Sequence, residues 1–228
     1  MAASGNKPVL SADNIVFRYG KKTVLDGVSM TANAGECIGV AGVNGSGKST
    51  LLSVLAGVTK PESGTFTCYG HDMLREKGQF AKLVGYVPQE NPLLPDLTVA
   101  DNLKLWSGQQ VSAQDALLEK LHLTGYLKRR AGKLSGGEKR RLVIACALLA
   151  GQSVLVMDEP TAALDLSQKE IIRSYIRDYT ERGGLVIMAT HDIMEIEMCD
   201  RLYELRDQHL EEALSASVIK HLQTVDLT

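Results

Sequence analysis

Apolar and polar residues change their spacing several times along this 228-residue chain. Residues 9–17 and 24–32 alternate loosely between apolar and polar side chains, the two-residue period of a half-buried strand. Turn residues follow each run, at Gly20-Lys21-Lys22 and at Asn33-Ala34-Gly35. Residues 37–41 are almost wholly apolar and predict one buried strand; residues 51–56 recur at helical spacing and stop at Gly57. A turn cluster at 59–64 precedes a short strand at 65–69, and another at 83–87 is stopped by Pro88. Helical spacing then takes over, with helices expected at 98–105, at 113–121 with Ser112 as N-cap, and at 125–130. Alternation resumes with a helix at 138–150, a strand at 154–157, a helix at 168–181 and a strand at 185–189 after Gly183-Gly184. A hairpin at 203–212 and an amphipathic helix at 215–223 close the pattern.

Strands alternating with helices imply an α/β fold with a mainly parallel sheet covered on both faces. The first third adds antiparallel β structure. The helical stretch 98–149 interrupts the alternation, so a helical subdomain is expected, inserted into a core made of 1–97 and 150–228 within one domain.

Composition changes this picture little. A chain that is 44% hydrophobic and 23% charged can bury a sizeable core, as an ordinary soluble globular protein does. Its net charge of -2 gives no reason to expect a nucleic-acid partner. The short basic clusters Lys128-Arg129-Arg130 and Lys139-Arg140-Arg141 read as solvated helix faces. Cys37, Cys68, Cys146 and Cys199 are widely spaced, without a C-x-x-C pair, and predict buried or free thiols in a reducing compartment. Residues 1–7 have no apolar core, so no secretory leader is expected. The most apolar stretch, 142–157, is broken by Gly151-Gln152-Ser153 and falls short of the roughly 20 residues a spanning helix needs. A cytoplasmic protein is expected, held at any membrane by another subunit.

The candidate chemistry begins at Gly42-Val43-Asn44-Gly45-Ser46-Gly47-Lys48-Ser49-Thr50, which fits G-x-x-x-x-G-K-[ST] between a predicted strand and a predicted helix. Gly42, Gly45 and Gly47 let backbone N–H groups turn inward, and the helix start adds partial positive charge. Asn44 and Ser46 complete the loop, and Thr50 ends the motif. Lys48 would reach the β- and γ-phosphates and Ser49 would ligate Mg²⁺, so the chain is expected to bind a nucleoside triphosphate. A second element, Val154-Leu155-Val156-Met157-Asp158-Glu159, delivers two acids from the end of an apolar strand. Asp158 suits a hold on Mg²⁺, and Glu159 suits activation of the attacking water.

Leu134-Ser135-Gly136-Gly137-Glu138 resembles the LSGGQ signature of the nucleotide-binding subunit of ATP-binding cassette (ABC) transporters, and the similarity then covers nearly the whole chain. The resemblance implies a P-loop NTPase core with an N-terminal antiparallel β subdomain and an inserted helical signature subdomain. It implies that Tyr19 stacks on adenine, and that Gln89, in the loop to the helical subdomain, contacts Mg²⁺ with Ser49 and Asp158. It places Asp165 in the loop crossing a dimer interface and makes His191 the switch histidine. Lys48, Gln89, Glu159 and His191 then form the catalytic set. His71, His122, His209 and His221 match no motif and read as structural.

By the same resemblance one chain holds half of each working site. Ser135, Gly136, Gly137 and Glu138 would close over ATP held by a second ATP-binding subunit, in a homodimer or a heterodimer, and membrane permease subunits would dock near 89–95. Glu138 departs from the usual Gln. Ser135-x-x-Glu138 is also a capping box, so Glu138 is expected to cap its helix and face away from phosphate. The implied activity is ATP hydrolysis powering solute translocation. Two alternatives remain open: a non-transport ABC ATPase acting on nucleic acid or ribosomes, and an interaction protein that binds ATP without turnover. The transported solute and its direction leave no trace in these motifs.

Overall fold

The computed structural model describes residues 8–112 and 114–225. Residues 1–7, where a secretory leader is not expected, and Ala113, where a helix is expected to begin, lie outside them. The strands, in chain order, are β1 (Leu10–Tyr19), β2 (Lys22–Ala32), β3 (Cys37–Ala41), β4 (Ser63–Cys68), β5 (His71–Asp72), β6 (Val84–Val87), β7 (Val154–Asp158), β8 (Leu185–Ala189), β9 (Arg201–Arg206) and β10 (His209–Ala213). The helices are α1 (Lys48–Leu55), α2 (Lys77–Leu83), α3 (Val99–Ser107), α4 (Ala116–Lys120), α5 (Gly136–Leu149), α6 (Leu166–Glu181), α7 (Ile193–Met198) and α8 (Ser215–Val225).

Apolar runs form the centre. β3, β7 and β8 are buried at every position, as strands covered on both faces must be. They belong to a sheet in the order β10-β9-β3-β8-β7-β6, parallel throughout except for the β9–β10 hairpin. That hairpin turns through Asp207 and Gln208, both at positive φ (47° and 73°), which matches the twist of its strands. A second sheet, β2-β1-β4-β5, is antiparallel, in keeping with the looser alternation of its sequence. The mixed α/β architecture with an antiparallel sheet and a mostly parallel one is therefore as expected.

The two-residue period of β7 and β8 divides the interior. Val154, Val156, Leu185 and Ile187 face one apolar cluster with Leu51, Leu52 and the antiparallel sheet. Leu155, Met157, Val186 and Met188 face the other, under α5 and α6. Leu103, Leu118, Leu121 and Leu142 of the helical stretch are fully buried in that same second cluster. At about 2 kcal/mol for each buried leucine, the helical stretch is firmly seated on the sheet.

Several local expectations are corrected. Residues 125–130 do not form a helix; a 3₁₀ turn at Thr124–Tyr126 runs into a turn at 127–128 and a bend at Arg129. The carbonyls of Leu127 and Arg129 accept from Ala100 and Val99 at the start of α3, so they are not free for a helical ladder. Ser112 does not cap α4; Asp115 does, accepting from Leu117 and Leu118 N–H groups at 2.9 and 3.3 Å. Helices α2 and α7 were not expected, being short and weakly patterned. The cluster Lys139-Arg140-Arg141 is not a solvated face: Arg141 is buried, and Arg140 turns inward onto backbone carbonyls. The cysteines are free thiols, and burial pushes Cys68 up to about 11 and Cys146 up to about 12. No helix among the described residues is long and apolar enough to cross a membrane.

Candidate functional site

Four parallel strands end at one crevice. β3 runs into the loop 42–47, β6 into Pro88 and Gln89, β7 into Asp158 and Glu159, and β8 into Thr190 and His191. Parallel register aligns these exits, since Val40 and Asp158 both pair with Ala189 on β8, and Val87 pairs with Met157. Such carboxyl-end crevices are where open α/β sheets bind ligands. Here the crevice is a cleft of about 550 Å³ lined by Tyr19, Asn44, Lys48, Gln89, Glu159 and His191, with Gly45, Gly47, Ser49 and Thr50 in its floor.

The loop conformation follows from its glycines. Gly42 has φ 148°, and a Cβ there would lie 2.5 Å from the Leu205 carbonyl oxygen and 2.8 Å from Ser46 Oγ. No other residue fits that space. α1 begins after Gly47 with no side-chain cap, so its first N–H groups point into the cleft unclaimed by a side chain. Ser46 Oγ is buried with no hydrogen-bond partner among the described residues, and it lines a neighbouring cleft. Uncapped amides and a lysine in one concavity suit a polyphosphate.

Lys48 Nζ donates to the carbonyls of Gly42 at 2.7 Å and Val43 at 3.2 Å, which holds the ammonium over the loop. Burial lowers its pKa, opposed by the charges of Glu159 and Asp158. Asp158 is buried at the end of β7. Burial raises its carboxyl above the ordinary range, and the Ser49 hydroxyl bond works against that. Ser49 and Asp158 therefore stand together as hard oxygen donors. Among the described residues no group of three or more His, Cys, Asp or Glu side chains could hold a metal ion alone. That donor set fits Mg²⁺, which takes one or two protein oxygens and completes its shell with phosphate and water.

Glu159 departs from strand geometry with φ 48°, a strained value for a non-glycine residue. Its N–H donates to the Ala189 carbonyl at 2.9 Å, which ties it to β8. The carboxylate, largely buried, accepts from Gln89 Nε2 at 3.4 Å and lies 3.4 Å from His191 Nδ1. Gln89, Glu159 and His191 thus meet in the cleft. Tyr19 stands at the mouth, 60% exposed and packed edge-on against Phe17. An exposed ring braced by another aromatic can stack on a planar base.

Ser135, Gly136, Gly137, Glu138 and Asp165 lie elsewhere. None lines the Lys48 cleft. Ser135 caps α5 in a complete capping box, in which Glu138 N–H donates to Ser135 Oγ at 3.3 Å and Ser135 N–H to Glu138 Oε2 at 2.6 Å. The Ser135 N–H bond holds the Glu138 carboxyl below the usual range, helped by Tyr126, Ser135 and Arg129. Asp165 caps α6, accepting from Gln168 N–H at 2.9 Å. A Cβ on Gly137 would lie 3.0 Å from Gln168 Oε1, so these two helix starts are neighbours. The chain presents two separate faces.

Sequence reasoning missed the bracing of His191. Asp192 accepts from Lys169 at 2.8 Å and from Arg173 at 2.7 Å, both on α6. Burial pushes the Asp192 carboxyl up, but Lys169 and Arg173 hold it below its ordinary value. On the other side, Thr190 donates to buried Glu195 of α7. A Lys-x-x-x-Arg spacing on α6 was the available signal; its partner, far along the chain, was not visible.

A parallel sheet whose strand ends carry a glycine loop, paired acids, a glutamine and a histidine defines a nucleotide-binding cassette. The chain belongs to the ABC transporter family, whose domain matches residues 25–162. It is 40% identical over 205 residues to the Nod factor export ATP-binding protein I of Burkholderia lata, covering 86% of this chain and 67% of that one. It is 36% identical over 202 residues to the linearmycin resistance ATP-binding protein LnrL of Bacillus subtilis, covering 85% and 65%. The chain thus spans about two-thirds of the length of these relatives. The structure superposes with a TM-score of 0.79 on a dimeric bacterial ABC transporter cassette, 26% identical and covering 89% of this chain and 96% of that one.

Proposed function

We propose that this chain is the ATP-hydrolysing subunit of a multi-subunit ABC transporter. In this reading 1–97 and 150–228 form the catalytic core of one ABC ATPase domain, and 98–149 form its helical subdomain. The convergence of Lys48, Gln89, Asp158, Glu159 and His191 at four strand ends carries the proposal. Tyr19 would stack on adenine. The amides of 42–50 and Lys48 would hold the phosphates. Ser49, Asp158 and Gln89 would hold Mg²⁺, which would supply charge neutralisation for the phosphates.

Glu159 would take a proton from the attacking water, and His191 would donate to the γ-phosphate as charge develops. Ser135, Gly136 and Gly137, with Asp165 beside them, lie outside the cleft, which supports their use on ATP held by a second cassette, identical or homologous. Closure would bury two nucleotides between cassettes, and loss of the γ-phosphate would release them.

A second cleft of about 620 Å³ supports permease docking near Gln89–Pro95: it is mostly apolar and lined by Tyr86, Pro92, Leu93, Trp106 and Val143. Trp106 and Leu94 are close to half exposed. Such a patch marks an interaction surface. Docking there would hold the chain at the cytoplasmic face of a membrane. The name of the Nod factor export relative favours export as the direction. Phosphate release from Mg²⁺-ATP by the purified chain tests the ATPase reading, with Lys48→Ala as the control expected to abolish it. Binding of the chain to permeases in detergent, lost on Trp106→Glu, tests the transport reading; stimulation by RNA or ribosomes instead would favour the non-transport alternative.

A further inference from the structure

One guanidinium joins the two faces of this chain. Arg140 lies on α5, in the second turn after the Ser135 cap, and its side chain leaves the helix for the ends of β6 and β7. Its Nη1 donates to the Pro88 carbonyl at 2.5 Å, and its Nη2 to the carbonyls of Asp158 at 2.6 Å and Glu159 at 2.7 Å. Its Nε donates to Pro160 at 3.0 Å. Four carbonyls from two separate segments are collected by one planar fork, which a lysine could not span.

The consequence for Glu159 is specific. The peptides on both sides of its Cα are held, the N–H by Ala189 and the C=O by Arg140. This clamp maintains the positive φ that turns the carboxylate toward Gln89 and His191. The Pro88 bond fixes the residue just before Gln89 in the same way. Burial works against the charge on Arg140, while Asp158 and Glu159 sustain it.

We propose that Arg140 is a positioning residue, setting the Glu159 and Gln89 side chains relative to Ser135–Gly137 at the start of its own helix. Because those two groups would serve different ATP molecules in a closed pair of cassettes, Arg140 would make one site sensitive to the other. This rests on the ATPase reading above.

The test measures ATP hydrolysis by wild type, Arg140→Gln and Arg140→Lys, alongside thermal unfolding and fluorescent-nucleotide binding. The expected result is a kcat at least about tenfold lower in R140Q with KM within about twofold, since misaligned reacting groups cost rate before binding. The Hill coefficient for ATP should fall toward one, and R140K, which keeps charge but not the fork, should fall between. Should R140Q fail to fold, R140K alone decides by the same kcat and Hill criteria. A folded variant with wild-type kcat and cooperativity overturns the proposal, as does a variant whose only change is its unfolding temperature. A silent wild type instead overturns the ATPase reading itself.

Discussion

Glu159 Oε1 lies 3.4 Å from His191 Nδ1, although the two residues follow different strands of the sheet. Register between β7 and β8 makes this contact, because Asp158 and Ala189 pair directly just before them. If Glu159 is the base, Glu159→Gln should keep nucleotide binding while slowing hydrolysis at least about a hundredfold, near 2.7 kcal/mol of barrier. ATP-dependent dimers should persist in that variant, as seen by size-exclusion chromatography. Normal phosphate release would move the base elsewhere.

Glu138 is expected to cap rather than to act on phosphate. Glu138→Gln keeps both capping-box bonds, so ATPase activity should stay within about threefold, under 1 kcal/mol. A tenfold change would contradict the assignment. The depressed carboxyl pKa also predicts an acid signature. The group's contribution is present above the ordinary value of 4.5 and is lost as pH falls through the lower folded value. Thermal melts of wild type and E138Q should therefore differ at neutral pH and converge in acid.

Two glycines of the phosphate loop make different demands. A Cβ at Gly42 meets backbone oxygen, whereas Gly45, at φ 79°, has open space around it. Gly42→Ala should destabilise the loop by several kcal/mol and abolish nucleotide binding, while Gly45→Ala should cost only about 1–2 kcal/mol of backbone strain. Nucleotide titration with calorimetry separates the two; equal losses would mean that conformation alone, not contact, sets the cost.

Asp192 faces two cations of α6, one of them the buried Arg173. Asp192→Asn should lower stability by about 3 kcal/mol, because it leaves a buried charge poorly paired. It should also lower kcat by loosening the segment that carries His191. Chemical denaturation and phosphate release measure both; a variant as stable as wild type would show that Glu170 compensates for Arg173.

Much of the fold was legible because its core strands are long apolar runs and its long helices keep their period. The failures are local. Residues 125–130 have helical composition, but their carbonyls serve the start of α3, a tertiary demand that no window of sequence contains. The basic run at 139–141 looked solvated because charge usually is; Arg140 is instead drawn inward by backbone carbonyls of distant segments. His191 stood out by its place in the motif order, whereas Lys169, Arg173 and Glu195, which brace its segment, had no such marker.

By itself the sequence determined the local chemistry: a loop only glycines can form, an apolar strand ending in two acids, and a capping box that accepts Glu as readily as Gln. These depend on neighbours within a few residues, so they can be read directly. Tertiary structure decided which of those pieces share a cleft. Parallel pairing of β3, β8, β7 and β6 brings Lys48, Glu159, Gln89 and His191 together, while α5 carries Ser135 to a different face. Register and packing are long-range balances of burial and hydrogen bonding, and only the folded chain resolves them.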